Sequence, residues 1–147
     1  MQPDSTPVAL ITGAGSGLGA AMANRFAQAG WRVIVTDQHA DRAETVAAGL
    51  AGSGHAARPL DVTESSQWET LAELVDDEYG RIDLLVNNAG VLQDETLGSI
   101  DYDSIRLQME VNALAPLRVA EALLPNLPSG GKIANITSRM GSIGDND

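Results

Sequence analysis

The chain has 147 residues, with 20 acidic and 9 basic side chains, a formal net charge of −11 and no cysteine. This length predicts one domain, residues 1–147. Nucleic acid and anionic membranes need a basic surface, so neither is expected as a partner. Disulfides and cysteine metal sites are excluded. The first residues lack the features of a signal peptide, and no apolar run reaches membrane-spanning length. We therefore expect a cytoplasmic protein.

Apolar runs alternate with helical patterns along the whole chain. The predicted strands are Val8–Thr12, Arg32–Thr36, Ala56–Leu60, Asp83–Asn87 and Lys132–Thr137. The predicted helices are Leu18–Ala29, Asp41–Leu50, Ser66–Tyr79 (capped by Thr63 or Ser65) and Asp101–Leu124. Such alternation implies right-handed crossovers and a doubly wound parallel α/β sheet, a Rossmann-like fold. We predict the strand order 3-2-1-4-5, with the sheet stopping after strand five.

The turn after strand one has the sequence Thr-Gly-Ala-Gly-Ser-Gly-Leu-Gly, residues 12–19. A helix N-terminus follows it, where unpaired N–H groups and the helix dipole attract an anion. Glycines also leave room for a diphosphate to approach the backbone. We predict that a dinucleotide binds here, at Gly13, Ser16, Gly17, Leu18 and Gly19. The alternative is an ordinary strand–helix turn.

Asp37 ends strand two, roughly 20 residues after the glycine turn. A carboxylate there can accept hydrogen bonds from both ribose hydroxyls of the adenosine, and it would repel a 2′-phosphate. The glycine turn contains no Arg or Lys that could bind such a phosphate. We therefore predict NAD as the cofactor, with NADP disfavoured. The alternative is a solvated loop aspartate.

The spacing Thr-Gly-x-x-x-Gly-x-Gly, together with Asn87-Asn88-Ala89-Gly90 after strand four, resembles the classical short-chain dehydrogenases/reductases. The resemblance implies that Asn88, Ala89 and Gly90 pass close to the cofactor. It also implies that Asp61 and Val62 lie over the adenine, with Asp61 accepting from its amino group. Each segment has a simpler alternative, since Asp before a helix and Asn-Gly pairs both favour turns.

The same resemblance assigns roles to Asn112 and Ser138. Asn112 would bend the long helix and hold a water in a proton relay, although it could also be a packed polar residue. The Ser138 hydroxyl would hydrogen-bond the carbonyl oxygen of the substrate, although a strand-end serine can also cap a turn. The implied reaction is hydride transfer between a nicotinamide and a small alcohol or carbonyl compound.

The family places a catalytic tyrosine, with a lysine four residues later, downstream of this serine. The printed sequence has neither residue type after Ser138, and Tyr102 with Arg106 has the spacing but precedes Ser138. We therefore expect a truncated chain that is inactive alone. From Val91 onward the sequence is more similar to the carbonyl-reductase-like branch related to the C-factor signalling protein. Either a chimera or an unusual member would account for this change.

Other polar residues give weaker signals. His39 and His55 are isolated in loop-like surroundings and are predicted to lie at the surface. The acidic run of residues 76–78 is typical of a solvated helix face, so no metal site is expected. Three functions compete: an NAD-dependent oxidoreductase, a non-catalytic nucleotide-binding or interaction module, and another doubly wound enzyme such as a methyltransferase. We also expect a homo-oligomer, because an unpaired edge at strand five would favour association.

Overall fold

The computed structural model describes residues 4–138 as one sheet covered by helices on both faces. Its strands are β1 (Val8–Ile11), β2 (Arg32–Asp37), β3 (Ala56–Pro59), β4 (Leu84–Asn87) and β5 (Lys132–Asn135). All pair in parallel in the order β3-β2-β1-β4-β5, which confirms the predicted fold class and strand order. The predicted domain comprises residues 1–147; its first three and last nine residues lie outside the part of the chain that the structure describes.

Five helices connect the strands. They are α1 (Gly17–Gln28), α2 (Ala40–Ala48), α3 (Ser65–Glu78), α4 (Tyr102–Met109) and α5 (Ala115–Leu123). A π-helical segment, Glu110–Leu114, joins α4 to α5, and a 3₁₀ turn, Leu124–Asn126, follows α5. No helix within residues 4–138 is long and apolar enough to cross a membrane.

The sheet is central because its inner strands are apolar on both faces. All four residues of β1 are fully buried. Val8 and Leu10 contribute to the core under α3 and α5, whereas Ile11 contributes to the core under α1 and α2. Burial on both faces explains why these strands are continuous apolar runs rather than alternating ones.

Helix α1 shows how the sequence ends an element. Gly30 adopts φ +88°, and its N–H donates to Ala27 O at 3.0 Å. The next N–H, from Trp31, donates to Phe26 O at 3.1 Å, and the two rings pack with centroids 5.2 Å apart. This is a Schellman motif with its apolar contact, and it turns the chain directly into β2.

One local prediction was wrong. The residue at the N-cap of α3 is Glu64, which makes no side-chain cap bond; neither Thr63 nor Ser65 caps the helix. Thr63 is instead drawn into a turn, because its N–H and hydroxyl both donate to Asp61 Oδ1. The helix predicted over residues 101–124 is present as a continuous helical run from Tyr102 to Leu123, with the π-helical segment inside it.

Candidate functional site

A cavity of about 340 Å³ opens at the carboxyl ends of the strands, a volume within the ~300–1,000 Å³ range of small-molecule sites. Beside it the strand order reverses between β1 and β4, the usual ligand position in doubly wound sheets. Its lining, here called the nucleotide cavity, is Gly13, Ser16, Gly17, Leu18, Asp37, Gln38, His39, Arg42, Leu60, Asp61, Val62, Asn88, Ala89, Gly90, Val91 and Val111.

The glycine turn forms the floor of this cavity. Gly13 and Gly17 adopt φ values of +61° and +54°, which side chains rarely tolerate. A Cβ on Gly13 would lie 2.8 Å from Ala89 Cα, whereas no atom lies within 4 Å of a Cβ on Gly17. The N-cap Ser16 makes no side-chain cap bond, and the first turn of α1 contains no acid. The turn therefore fits a diphosphate, with open space at Gly17 and uncapped N–H groups beside it.

Gly19 has a different role from the other predicted glycines, because it does not line the cavity. It is buried in the first turn of α1, directly beneath the turn. A Cβ there would lie 2.4 Å from Gly13 O and 2.6 Å from Asn88 Nδ2. Gly19 therefore lets α1 pack against the backbone that forms the floor.

Asp37 lines the nucleotide cavity with a carboxylate that is 9% exposed. Its Oδ2 accepts from Gly15 N at 3.0 Å, and its Oδ1 accepts from His39 N at 3.0 Å. The His39 ring nitrogen Nδ1 lies 3.3 Å from the same Oδ1. These contacts fix the carboxylate and leave it further lone pairs, so it can still accept from ribose hydroxyls.

Asp61 and Val62, which follow β3, also line the nucleotide cavity; their contact with the adenine stays a prediction. Asp61 also serves the local turn, because its Oδ1 accepts both hydrogen bonds from Thr63. Its backbone N–H donates to Gln67 Oε1 at 2.6 Å. A role for Asp61 in the turn before α3 is therefore compatible with the predicted contact between Asp61 and the adenine.

The segment after β4 is tied to β1 by one hydroxyl. Thr12 Oγ1 accepts from the backbone N–H groups of Asn88 and Ala89, both at 3.0 Å. The Asn88 side chain also binds this segment, because its Nδ2 donates to Thr12 O and to Gly13 O, both at 3.1 Å. Asn88, Ala89 and Gly90 are thereby held against the glycine turn, where all three line the cavity.

Asn112 lies in the π-helical segment, at the point where we predicted a bend, but its side chain does not line the cavity. Its Nδ2 donates to Val91 O at 2.6 Å, and its Oδ1 accepts from Val91 N at 2.9 Å. Both ends of the amide are therefore occupied by the loop after β4. In this structure the Asn112 side chain holds that loop; its place in a proton relay stays a prediction.

Ser138 is exposed and follows β5 at the carboxyl edge of the sheet. Its strand is fixed by the buried Asn87, whose Nδ2 donates to Asn135 Oδ1 at 2.9 Å and to Pro116 O at 3.3 Å. The backbone adds a bond from Ile136 N to Asn87 O at 3.0 Å. Ser138 is not among the residues that line the cavity.

His39 is exposed, as predicted, but it is not isolated. It lines the cavity and contacts Asp37 through both its backbone and its ring. His55 is also engaged: its Nδ1 accepts from Val33 N at 3.1 Å, and its Nε2 lies 2.8 Å from Ala51 O. Within residues 4–138, no three His, Asp or Glu side chains are grouped as metal ligands.

Comparison with known proteins decides the family. A sequence model of the short chain dehydrogenase family matches residues 7–146. The chain belongs to the short-chain dehydrogenase family. Similar proteins include 1-hydroxy-2-glutathionyl-2-methyl-3-butene dehydrogenase from Rhodococcus sp., 40% identical over 120 residues, which cover 76% of this chain and 53% of the relative. Galactitol 2-dehydrogenase from Agrobacterium fabrum is 36% identical over 141 residues, which cover 94% of this chain and 55% of the relative.

A solved structure gives the same result for the fold of this short-chain dehydrogenase. A short-chain dehydrogenase from Streptomyces avermitilis superimposes with a TM-score of 0.83 at 34% identity, covering 92% of this chain and 50% of that one. The chain therefore spans about half the length of the relatives it matches. The resemblance to the C-factor branch stays a prediction.

Neither tyrosine of this short-chain dehydrogenase lines the nucleotide cavity. The Tyr79 hydroxyl donates to Gly54 O at 3.0 Å, and burial raises its pKa above the ordinary value. A raised pKa makes Tyr79 a weaker acid, which is the opposite of what a proton donor to an alkoxide needs. Tyr102 is 63% exposed at the start of α4, and Arg106 pairs with Asp103.

Sequence reasoning missed Gln108, which repeats the action of Asn112 one turn earlier. Its Nε2 donates to Gln93 O at 3.1 Å, and its Oε1 accepts from Gln93 N at 3.2 Å. Two side-chain amides four residues apart therefore bind alternate residues of the extended loop, at Val91 and Gln93. The signal in the sequence was a polar residue at helical spacing from Asn112.

Thr12 was also missed as a site residue, and its replacement should destabilise the protein. Thr12→Val removes the acceptor of two backbone N–H groups while keeping the shape of the side chain. We expect a loss of roughly 2 kcal/mol or more, since each unsatisfied group costs about 1–3 kcal/mol when buried. Urea denaturation measures the loss. Thr12→Ser keeps the acceptor and should be milder; equal losses for the two variants would contradict this role.

Proposed function

We propose that this chain binds NAD(H) and supplies the cofactor side of an NAD-dependent oxidoreductase that interconverts an alcohol and a carbonyl compound. The observation that carries the proposal is that the glycine turn and Asp37 lie together at one cavity, joined by the hydrogen bond from Gly15 N to Asp37 Oδ2. NAD(H), when bound, supplies a hydride acceptor or donor. Gly13 and Gly17 would border its diphosphate, and Asp37 would accept from its adenosine ribose.

The remaining residues would position the substrate side. The Ser138 hydroxyl would donate a hydrogen bond to the carbonyl oxygen, which gains negative charge when a hydride reaches the carbonyl carbon. Asn112 and Gln108 hold the loop after β4 in place, through Val91 and Gln93. The substrate is proposed only as a small alcohol or carbonyl compound, because the relatives act on chemically different molecules.

A non-catalytic NAD-binding module is the second candidate. One observation favours it: Tyr79 and Tyr102, the tyrosines among residues 4–138, both lie outside the cavity lining. Under this alternative the glycine turn and Asp37 would act as proposed, while Ser138 and Asn112 would have only structural roles. The two candidates therefore predict the same binding and differ in turnover.

The cofactor preference can be tested at Asp37. We expect NAD⁺ to bind about tenfold or more tightly than NADP⁺, because the Asp37 carboxylate would repel the 2′-phosphate of NADP⁺. Two like charges about 4 Å apart repel by roughly 1 kcal/mol in water and by roughly 4 kcal/mol near a protein surface. Asp37→Ala should weaken NAD⁺ binding and abolish the preference. Titration calorimetry with both dinucleotides measures this. Asp41→Ala makes the same charge change at an exposed position of α2 and should keep the preference. Equal or tighter NADP⁺ binding by the wild type would refute the proposal.

We also propose that the chain associates with copies of itself through the outer edge of β5. No described strand pairs with that edge, and Ile133 and Ile136 are 44% and 42% exposed there. Such edges pair with other chains unless charged or covered. Ile133→Lys should therefore reduce association in light scattering with chromatography. Leu97→Lys, in an exposed loop, is the control. A monomeric wild type would contradict the proposal.

The composition of the chain supports two further proposals, on its partners and on its location in the cell. A formal charge of −11 supports a protein that binds neither nucleic acid nor membranes, since both attract basic surfaces. The absence of cysteine is compatible with the reducing cytoplasm, which we propose as the location. Fluorescence microscopy of a tagged full-length protein would test this.

A further inference from the structure

A second cavity lies between β3 and α3. Its volume of about 460 Å³ falls within the ~300–1,000 Å³ range of small-molecule sites. It shares no lining residue with the nucleotide cavity, so it is a separate site. This space is here called the β3–α3 cavity. Arg58 and Pro59 of β3 line one part of it, and one face of α3 lines the rest, with Ser66, Gln67, Thr70, Leu71 and Leu74.

Much of this lining is apolar. Leu71 is only 4% exposed, and Leu74 is partly buried and packs against the core. Pro59 adds an apolar ring and has no N–H to donate. These three side chains offer a ligand dispersion contacts and the removal of apolar surface from water.

Two polar side chains of the lining are already bound within the protein. Thr70 Oγ1 donates to Ser66 O at 2.9 Å, in the preceding turn of α3. Gln67 Oε1 accepts from Asp61 N at 2.6 Å. A sugar or another polyhydroxy ligand needs many polar partners, so the β3–α3 cavity suits a ligand with an apolar body instead.

Arg58 is the one charged residue in the lining. Its Nη1 donates to Ala57 O at 2.7 Å, and its Nη2 donates to Glu78 Oε1 at 3.1 Å. A guanidinium has five N–H donors, so these two bonds leave three for a ligand. None of the acids among residues 4–138 lines the cavity, although the chain has 20 acidic and 9 basic side chains. The charge at the β3–α3 cavity therefore favours an anionic group.

We propose that the β3–α3 cavity binds an organic monocarboxylate with an apolar body, and that Arg58 recognises its carboxylate. A guanidinium matches a carboxylate because two parallel N–H donors reach its two oxygens. The apolar body would cover Leu71 and Leu74. Both parts of the ligand are needed: an alcohol of the same chain length lacks the charge, and an amine meets the guanidinium as a like charge.

The probe is octanoate, titrated into isotope-labelled protein and followed by the amide chemical shifts in NMR spectra. We expect saturable shifts at residue 58 and at residues 66–74. 1-Octanol should bind about tenfold more weakly than octanoate, the lower end for the loss of charge-assisted hydrogen bonds. Octylamine should bind more weakly still. NAD⁺ at high concentration should leave the octanoate shifts in place, because the two cavities share no lining residue.

Two opposite charge changes test the role of Arg58. Arg58→Gln should lower octanoate affinity about tenfold and leave octanol affinity unchanged. Glu78→Gln should raise octanoate affinity by up to about fivefold, because it removes the carboxylate that competes for Arg58. Arg106→Gln, at an exposed position of α4, and Glu69→Gln, at the groove between α3 and α5, are the matched controls. Both should bind octanoate as the wild type does.

An octanoate affinity that falls with Arg58→Gln and rises with Glu78→Gln supports the proposal. Absence of saturable binding to the folded wild type overturns it, as does equal binding of octanol. Displacement of octanoate by NAD⁺ also overturns it, because octanoate would then lie in the nucleotide cavity. Circular dichroism checks the fold of each variant. If Arg58→Gln does not fold, Arg58→Lys takes its place; it keeps the charge without the paired donors, so unchanged affinity would refute recognition by the guanidinium.

Discussion

Gly19→Ala should abolish dinucleotide binding, although Gly19 does not line the cavity. The added Cβ would lie 2.4 Å from Gly13 O, 2.6 Å from Asn88 Nδ2 and 2.8 Å from Ala14 Cα. These atoms cannot easily move, because Asn88 Nδ2 is hydrogen-bonded to Gly13 O and Thr12 O. Overpacking typically costs about 1–3 kcal/mol, so the turn or α1 must shift and the diphosphate loses its site.

The measurement is calorimetry with NAD⁺, together with thermal unfolding. Gly49→Ala is the matched control, because its nearest contact would be an ordinary 3.6 Å and its φ is −88°. Gly17→Val should also lose binding, because its side chain would enter the open space beside the turn and because a β-branched residue is strained at the φ of +54° found there. Wild-type affinity in Gly19→Ala would refute this account of the turn.

The second expectation concerns turnover by a polypeptide of these 147 residues. Carbonyl reduction transfers a hydride to carbon and a proton to oxygen. Ser138 can donate a hydrogen bond to that oxygen, but a serine hydroxyl is too weak an acid to release its proton at neutral pH. General acid catalysis is worth about 10²–10⁴-fold, so we expect binding of NADH and a rate lower by at least that factor than in family members with the tyrosine and lysine.

NADH oxidation followed by absorbance, with a panel of aldehydes and ketones, measures the rate. The same preparation must first bind NADH, so that a slow rate is not confused with an empty site. Turnover in the ordinary range of the family, abolished by Ser138→Ala, would contradict the expectation. Tyr102 would then be the first residue to replace as the proton donor.

Much of the fold could be predicted because its signals are local. Continuous apolar runs mark strands buried on both faces, and glycines such as Gly30 end helices through their own backbone conformation. A bend of the long helix at Asn112 was predicted, but the π-helical form of residues 110–114 was not. The contacts between Asn112 and Val91 could not be predicted either, because the two residues lie 21 positions apart in the chain.

The candidate site was predictable to the same extent. The glycine turn, Asp37 and the segment after β4 each follow a strand, so parallel pairing brings them to one edge. The cavity contacts of Arg42 and His39 could not be predicted, because residues at the start of α2 reach the cavity only once that helix is packed. The role of Thr12 could not be predicted, because its partners Asn88 and Ala89 follow a different strand, β4.

The bonds of Thr12 have a consequence for how the protein matures. Its partners Asn88 and Ala89 lie 76 and 77 residues further along, so this contact closes a long loop at an entropic cost. On the ribosome, the glycine turn and Asp37 emerge well before β4. A nascent chain that extends only through α3 thus holds the glycine turn, Asp37 and Asp61 without the segment after β4 that lines the same cavity. The nucleotide site is completed late, when β4 inserts beside β1 and joins the first half of the sheet to the second.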